Sequence, residues 1–285
     1  MSYISAIILG LVQGVAEFLP ISSSGHLSLF QHFFQLTDVE HDHMFFSVLL
    51  HLGTLVAVFF AYRRDIAELL REFFCMVHLR KLPQGQTPDI PARRMILMII
   101  VATLPLLLVF PIKDRVELLY QNTFFIAFAL VLTGTLLFVS DRMPRGHKTA
   151  GTATMGDAIL VGLAQAVAVV PGLSRSGTTI SAGMARGFDR TYAVKFSFLM
   201  SIPAVLGANI LSIVDAVKAG IDTSLLPMYL VGVLVAMVSG YASISLLRFI
   251  ARKGRFGGFA YYCWGAGLVA LVLSLIVPWC PGERG

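Results

Sequence analysis

Hydrophobic residues run almost without interruption along much of this chain, in stretches of the length that a membrane helix needs. A helix of about 20 apolar residues crosses the hydrocarbon core of a bilayer. Stretches of this kind lie near residues 44–62, 95–112, 122–140, 192–214, 227–250 and 259–279. The pattern therefore predicts six transmembrane helices.

Two further apolar stretches, about 3–34 and 157–187, are interrupted by polar residues at their centres. The interruptions read Pro-Ile-Ser-Ser-Ser-Gly at 20–25 and Pro-Gly-Leu-Ser-Arg-Ser-Gly at 171–177. Broken backbone is tolerated at membrane depth where it is buried in protein or lines a cavity. The two stretches are therefore predicted to be re-entrant helical hairpins.

Composition agrees with this hydrophobic pattern. Hydrophobic residues make up 56% of the chain and charged residues only 13%, which lies outside the usual range of soluble domains. We expect an all-α integral membrane protein with one membrane domain over residues 1–285, in contact with lipid and without a nucleic-acid partner.

No Lys or Arg precedes Arg63, so the N-terminal stretch lacks the basic region of a signal peptide and is expected to stay in the fold. The three cysteines have no metal-like or redox spacing and receive no role: Cys75, Cys263 and Cys280.

The two interrupted stretches are copies of each other. Residues 10–25 and 162–177 agree at eight of sixteen positions, at a constant offset of 152. The polar and glycine positions are among those retained, and they are Gly10/Gly162, Gln13/Gln165, Ser22/Ser174, Ser24/Ser176 and Gly25/Gly177. We infer an internal duplication, with one repeat over about 1–141 and the second over about 157–285.

The distribution of basic residues predicts how the repeats are oriented. Cytoplasmic loops carry an excess of Lys and Arg, and the loops at 63–94, 141–156 and 248–256 hold most of those in the chain. With these loops in the cytoplasm, the first hairpin enters from the outer face and the second from the inner face. This is an inverted-topology repeat, in which the ligand site is expected near the bilayer midplane where the repeats meet.

The positions at which the copies differ indicate the chemistry. Glu17, Ser23 and His26 of the first copy align with Val169, Arg175 and Thr178 of the second. Each polar interruption is expected to open the second helix of its hairpin, and a helix N-terminus with glycine is suited to binding phosphate. Arg175 adds a planar fork that matches phosphate oxygens. The candidate phosphate-binding residues are Gln13, Ser22, Ser24, Gly25, Gln165, Ser174, Ser176, Gly177, Thr178 and Thr179.

The residues leave alternatives open. Ser, Gly and Pro could serve only for capping and tight packing of the hairpins. Glu17 could be a general base, a metal ligand, or the residue that orients His26, or it could only stabilise its hairpin by bonding to Gln13 on the same helical face. Ser23 is the expected nucleophile, with His26 taking its proton while Glu17 orients the imidazole. Attack by His26 or by an activated water is the alternative. An anion transporter or flippase would also use inverted repeats and broken helices.

Other polar residues receive less weight. The run Asp38–His43 has enough ligands for a divalent cation but lies in a predicted outer loop, where such clusters are usually solvated. His51 is expected to be a satisfied packing histidine. Arg186, Arg190 and Lys195 fall near the cytoplasmic boundary, where snorkelling of long side chains accounts for them.

At these motifs the chain resembles the bacterial undecaprenyl-diphosphate phosphatases of the bacitracin-resistance type. The first hallmark segment, E/Q-x-x-x-E followed by P-x-S-S-x-G-H, is matched by Gln13, Glu17, Pro20, Ser22, Ser23, Gly25 and His26. The second, P-G-x-S-R-S-G-x-T, is matched by Pro171, Gly172, Ser174, Arg175, Ser176, Gly177 and Thr179. The stretch Lys195–Pro203 also looks like a family segment. Gln13 stands where many members carry Glu, which leaves Glu17 as the essential acid.

The resemblance implies a hydrolase that removes the terminal phosphate from a C55 polyprenyl diphosphate and returns the monophosphate carrier to peptidoglycan synthesis. It implies a divalent cation, Mg²⁺ or Ca²⁺, with Glu17 as the candidate metal ligand. The expected catalytic residues are Glu17, Ser23, His26 and Arg175. We expect the protein in the bacterial inner membrane with its active site facing the periplasm, and a homodimer remains an open alternative.

Overall fold

The computed structural model describes residues 2–33, 44–78, 87–219 and 223–276, and these residues are overwhelmingly helical. The hairpins consist of α1 (Tyr3–Phe18) with α2 (Ser23–Phe33), and α8 (Met155–Val167) with α9 (Arg175–Ala185). The other helices are α3 (Met44–Ala61), α4 (Arg63–Met76), α5 (Ile90–Thr103), α6 (Lys113–Leu119), α7 (Thr123–Arg142), α10 (Arg190–Ala219), α11 (Leu226–Lys253) and α12 (Gly257–Ile276). Short 3₁₀ segments, Leu104–Leu108 and Phe110–Ile112, extend α5. The expectation of an all-α membrane protein is confirmed.

Five helical segments among the described residues are long and apolar enough to cross a membrane: Ile90–Ile112, Thr123–Arg142, Arg190–Ile210, Leu226–Lys253 and Gly257–Ile276. They correspond to five of the six predicted spans. The sixth prediction, 44–62, falls on α3, which turns by 85° into α4. The span count becomes six when this bent pair is counted as one. Residues 63–94, predicted as a loop, therefore contain α4 and the beginning of α5.

Basic residues and their carboxylate partners gather several helix ends on one side of the molecule, which we term the basic end. Asp141, at the end of α7, accepts hydrogen bonds from Arg190 at 2.6 Å and from the Phe256 and Gly257 amides at 3.0 Å. Arg248 donates to the Ala61 carbonyl at 3.3 Å, which brings α11 to the end of α3. The helices α3, α7 and α11 thus end there, and α10 and α12 begin there.

The cations attributed to snorkelling have specific partners instead. Arg186 pairs with Asp157 at 2.9 Å, and Arg190 pairs with Asp141. Lys195 pairs with Asp65 of α4. The snorkelling interpretation was incomplete for these side chains because it considered each helix alone, whereas the carboxylates come from other parts of the chain.

Glycines set the position of each hairpin. A Cβ on Gly10 would lie 2.4 Å from the Gly232 carbonyl oxygen, and one on Gly240 would lie 2.8 Å from the Phe18 ring. Small residues allow helix backbones to approach this closely. Gly10 thus contacts Gly232, and Phe18 contacts Gly240. Because these contacts follow the same order along both helices, α1 runs parallel to α11 and ends near the midpoint of α11. A Cβ on Gly162 would likewise lie 2.4 Å from the Ala102 carbonyl oxygen, which places α8 against α5.

The two interruptions meet inside the helix bundle. A Cβ on Gly25 would lie 3.0 Å from Gly172 Cα, and one on Gly177 would lie 3.3 Å from Pro20 Cβ. Pro20 and Gly172 are equivalent positions of the two repeats, since the duplication offset of 152 separates them. The glycine of each repeat therefore contacts the same position of the other repeat. The backbone of the second interruption is satisfied by Thr133 of α7, whose hydroxyl accepts from the Ser174 amide at 3.1 Å.

Candidate active site

Each interruption contains a serine that caps the following helix. The Ser22 hydroxyl accepts a hydrogen bond from the Gly25 amide at 3.2 Å, and the Ser174 hydroxyl accepts one from the Gly177 amide at 3.1 Å. The expectation that each interruption opens the second helix of its hairpin is confirmed. Capping leaves Ser23 and Arg175 as the first residues of α2 and α9, where helix dipoles favour negative charge.

Glu17 is the centre of the polar cluster at the meeting point of the hairpins. Its Oε2 atom accepts from Ser23 Oγ at 2.8 Å and from Gln13 Nε2 at 3.1 Å. Its Oε1 atom accepts from Arg175 Nη2 at 2.6 Å. With only 9% of its side chain exposed, the carboxylate joins both hairpins through one buried ion pair and two further hydrogen bonds.

Arg175 has donor capacity beyond its bond to Glu17. Its Nη1 atom is buried and has no hydrogen-bond partner among the described residues. A buried unpaired donor is costly, and a guanidinium binds phosphate oxygens with two parallel N–H groups. Arg175 can therefore hold the carboxylate of Glu17 and a phosphate oxygen at the same time.

His26 has partners other than the one expected. Its Nδ1 atom lies 2.7 Å from the Ser22 carbonyl oxygen, so Nδ1 is the donor, and its Nε2 atom lies 2.8 Å from the Tyr262 hydroxyl. The Tyr262 ring also stacks on the imidazole at 5.6 Å. The expected arrangement, in which His26 takes the Ser23 proton and Glu17 orients the imidazole, is not found. The Ser23 hydroxyl donates to Glu17 instead, and the Ser22 carbonyl holds the imidazole. Ser22 adopts a left-handed φ of 71°, which is uncommon for a residue with a side chain.

His51 is the second imidazole near the carboxylate, and its interpretation as a packing histidine was incomplete. Its Nδ1 atom is 2.8 Å from the Ser47 carbonyl oxygen, as a satisfied helix histidine would be. Its Nε2 atom, however, lies 3.9 Å from Glu17 Oε2, and one third of the side chain is exposed. A histidine within an apolar membrane helix was a signal for a functional site.

The remaining candidates support the cluster or lie apart from it. The Ser24 and Ser176 hydroxyls are 3.4 and 3.2 Å from the capping serines. The Thr179 hydroxyl donates to the Arg175 carbonyl at 2.8 Å and lies 2.6 Å from the Ser197 hydroxyl, which steadies the start of α9. Gln165 and Thr178 are buried, and their side-chain polar atoms have no partner within the described ranges. The structure does not join these two to Glu17.

No protein-only metal site is found where the chain is described: no three His, Cys, Asp or Glu residues group there as ligands. The run Asp38–His43 lies outside the described residues. Next to Glu17, however, Gln13 Oε1 is a buried acceptor without a partner in the described part of the chain. A carboxylate beside a free amide oxygen is a donor set that Mg²⁺ or Ca²⁺ accepts.

The arrangement can carry out phosphoryl transfer. A serine hydroxyl donates to a carboxylate that can accept its proton, and a guanidinium lies on the other oxygen of that carboxylate with a free N–H group. Such transfer depends mostly on positioning and charge stabilisation. Sequence reasoning missed Tyr262, which lies 236 positions from His26 and carries no local motif.

Comparison with known protein families matches residues 6–269 to the family described as bacitracin resistance protein BacA. The chain is 40% identical over 278 residues to the undecaprenyl-diphosphatase of Alkaliphilus metalliredigens, covering 97% of this chain and 100% of that protein. It is also 40% identical over 280 residues to the undecaprenyl-diphosphatases of Methanobrevibacter smithii and Carboxydothermus hydrogenoformans. Both alignments cover 96% of this chain, with 99% and 98% of the relatives.

Proposed function

The chain belongs to the bacitracin resistance protein BacA family, and on this premise we propose that it is a multi-pass membrane phosphatase. Its substrate is undecaprenyl diphosphate, which it hydrolyses to undecaprenyl phosphate and inorganic phosphate. The observation that carries the proposal is the contact of Ser23, Arg175 and Glu17 across the two hairpins. The names of the relatives favour hydrolysis over the transporter alternative.

Ser23 is the proposed nucleophile. Its hydroxyl donates to Glu17 Oε2 at 2.8 Å, so Glu17 is placed to take the proton as Oγ attacks the terminal phosphorus. A serine hydroxyl is a weak nucleophile and needs such a base. The P–O bond to the bridging oxygen breaks, and the electron pair leaves with the lipid monophosphate. Water then releases phosphate from Ser23.

Arg175 is the proposed phosphate clamp. The unpartnered Nη1 atom supplies a donor for the transferring group, and the amides at the start of α9 add partial positive charge. Gly25 and Gly177 allow the backbones to come close to the ligand. We assign to this phosphate cradle the small and hydroxyl-bearing residues at the two interruptions: Ser22, Ser24, Gly25, Ser174, Ser176, Gly177 and Thr179.

His26 is proposed to handle the proton on the leaving side. Its Nδ1 atom is committed to the Ser22 carbonyl, so Nε2 is the atom that exchanges a proton, with the Tyr262 hydroxyl as its neighbour. This division gives the attacking group and the leaving group separate proton carriers, Glu17 for the attack of Ser23 and His26 for the departure of the lipid monophosphate. It also explains why these two groups do not contact each other.

A divalent cation, Mg²⁺ or Ca²⁺, is proposed to be held by the Glu17 carboxylate and Gln13 Oε1 together with the phosphates of the substrate. When bound, it neutralises charge on the diphosphate. We expect phosphate release to stop on addition of EDTA and to return when Mg²⁺ or Ca²⁺ is restored. Full activity in the presence of excess EDTA would contradict the cation requirement.

The re-entrant and inverted arrangement of the hairpins is likewise proposed, and the packing supports it. The paired contacts α1–α11 and α8–α5 place each hairpin against a helix of the other repeat. The two hairpins approach from opposite ends of the bundle, since α8 begins at the basic end and α1 does not. We propose that the site opens to the periplasmic face of the inner membrane and that the isoprenoid tail lies in lipid.

The test is phosphate release from a long-chain polyprenyl diphosphate by the purified protein in detergent. Parent protein should release phosphate, and Ser23→Ala should not, although it still binds the substrate. Acid quench of the parent during turnover should trap an acid-stable phosphoserine at Ser23. Turnover by Ser23→Ala near the parent rate would exclude Ser23, and an acid-labile adduct would transfer the role to His26.

A further inference from the structure

His51 has no part in the proposed mechanism, although its imidazole faces the catalytic carboxylate. Its Nε2 atom is 3.9 Å from Glu17 Oε2, which is the same oxygen that accepts from Ser23 Oγ. The distance is too long for a direct hydrogen bond. At such separations polar groups are commonly joined through a water molecule.

The packing of α3 fixes the direction of this imidazole. Nδ1 lies 2.8 Å from the Ser47 carbonyl oxygen one turn earlier. A Cβ on Gly53 would lie 2.8 Å from the Val233 carbonyl oxygen, so α3 is in close contact with α11. Since α1 packs on the same helix through Gly10, α11 holds both His51 and Glu17 in register.

The bond to Ser47 also decides what Nε2 can do. A carbonyl oxygen only accepts, so Nδ1 carries a proton, and in the tautomer that this bond selects Nε2 is an acceptor. Nε2 faces an oxygen of a carboxylate, which also only accepts. A group with two hydrogens between them satisfies both acceptors, and water is the smallest such group.

We propose that His51 is a positioning residue that orients the water for the hydrolytic step; this inference rests on the proposed function of Ser23 and Glu17. The water donates one hydrogen to His51 Nε2 and the other to Glu17. The proton that Glu17 took from Ser23 in the first step has by then passed to solvent, so the carboxylate can accept again. The water oxygen attacks the phosphorus of phosphorylated Ser23, and the P–Oγ bond breaks with its electron pair on Oγ. The proton taken by Glu17 then passes to Oγ, which restores the serine and releases phosphate.

The experiment measures formation and decay of phosphoserine separately, by rapid acid quench of the full-length protein. In His51→Leu we expect phosphoserine to form at close to the parent rate and to decay at least tenfold more slowly, so that it accumulates. His51→Gln keeps a side-chain acceptor and should restore most of the decay rate. His147→Leu makes the same chemical change at an exposed residue and should match the parent in both rates. Thermal unfolding of each variant verifies that the fold is intact.

Three results would overturn the role of His51: decay in His51→Leu within about twofold of the parent, equal slowing of formation and decay, or no recovery in His51→Gln. Failure of the proposed function has a different signature. In that case the parent forms no phosphoserine and Ser23→Ala still releases phosphate. Water would then attack the substrate directly. The rate of phosphate release would test the role of His51 in that case, and we expect the rate to fall in His51→Leu and to recover in His51→Gln.

Discussion

At the scale of single residues, one carboxylate organises the site. Glu17 contacts the hydroxyl that the first repeat contributes and the guanidinium that the second contributes. Removing one partner of a buried pair leaves the other charge uncompensated, which costs about 3–5 kcal/mol. A substitution at either residue can therefore lower activity by unfolding the protein, so the stability of each variant has to be measured together with its activity.

Arg175→Lys keeps the positive charge and changes only the geometry. An ammonium lacks the planar fork that lets one nitrogen hold Glu17 while another reaches a phosphate oxygen. We expect a folded protein that has lost most of its activity, more than tenfold in kcat/KM, where tenfold corresponds to 1.36 kcal/mol. A rate within about threefold of the parent would assign Arg175 a structural role only.

Glu17→Gln keeps the shape of the side chain and removes its charge and its basicity. Because general-base catalysis contributes roughly 10²–10⁴-fold, we expect kcat to fall by about that factor while phosphoserine formation becomes the slow step. Rapid quench of the variant checks this order of steps. Fast formation followed by slow decay would instead limit Glu17 to the hydrolytic step.

The sequence identified these residues but not their partners. Gln13 and Glu17 lie four positions apart on one helix, so their hydrogen bond was predictable from helical periodicity. The partners of His26 were not, because Tyr262 belongs to α12 and the Ser22 carbonyl is a backbone group. The position of His51 beside Glu17 depends on how α3 packs, which no local pattern encodes.

At the scale of elements, close helix contacts place the two halves of the site. Gly10 and Gly162 occupy matching positions of the duplication, and each faces a backbone oxygen at 2.4 Å from the position of its missing Cβ. Close helix packing explains why both repeats have glycine at this position, which the comparison of the two repeats could not reveal. The 85° bend between α3 and α4 was missed because the apolar run ends at Arg63, Arg64 and Asp65, and the polar residues of α4 were interpreted as a loop.

Gly10→Ala and Gly162→Ala should each destabilise the fold, since the added methyl meets backbone that cannot move aside. Overpacking of this kind costs about 1–3 kcal/mol. Gly207→Ala is the matched control, because no described residue lies within 4 Å of its added Cβ and alanine favours a helix by up to about 1 kcal/mol. In thermal unfolding in detergent, Gly10→Ala and Gly162→Ala should melt at lower temperatures than Gly207→Ala. Equal melting temperatures for the three variants would contradict this prediction.

At the scale of the whole molecule, the basic end collects helix termini from both repeats. Arg190, Asp141 and the start of α12 meet there, while α5 runs away from it toward Ile112. Helix packing thus gathers on one side of the bundle the basic residues from which the charge bias predicts the cytoplasmic face. Only the packing, however, shows that the hairpins touch at Gly25 and Gly172.

This orientation predicts which residues an impermeant reagent reaches in intact cells. Lys113 and Arg252 are both exposed. Lys113 follows the 3₁₀ segments that extend α5 away from the basic end, whereas Arg252 lies in the last turn of α11 at the basic end, so the membrane should separate them. In a Cys280→Ser background, with Cys75 and Cys263 buried, Lys113→Cys should react with an impermeant maleimide from outside. Arg252→Cys should react only after the membrane is permeabilised, because basic loops stay in the cytoplasm. Equal labelling of both variants in intact cells would refute the inverted insertion of the two hairpins, and with it the periplasmic opening of the site.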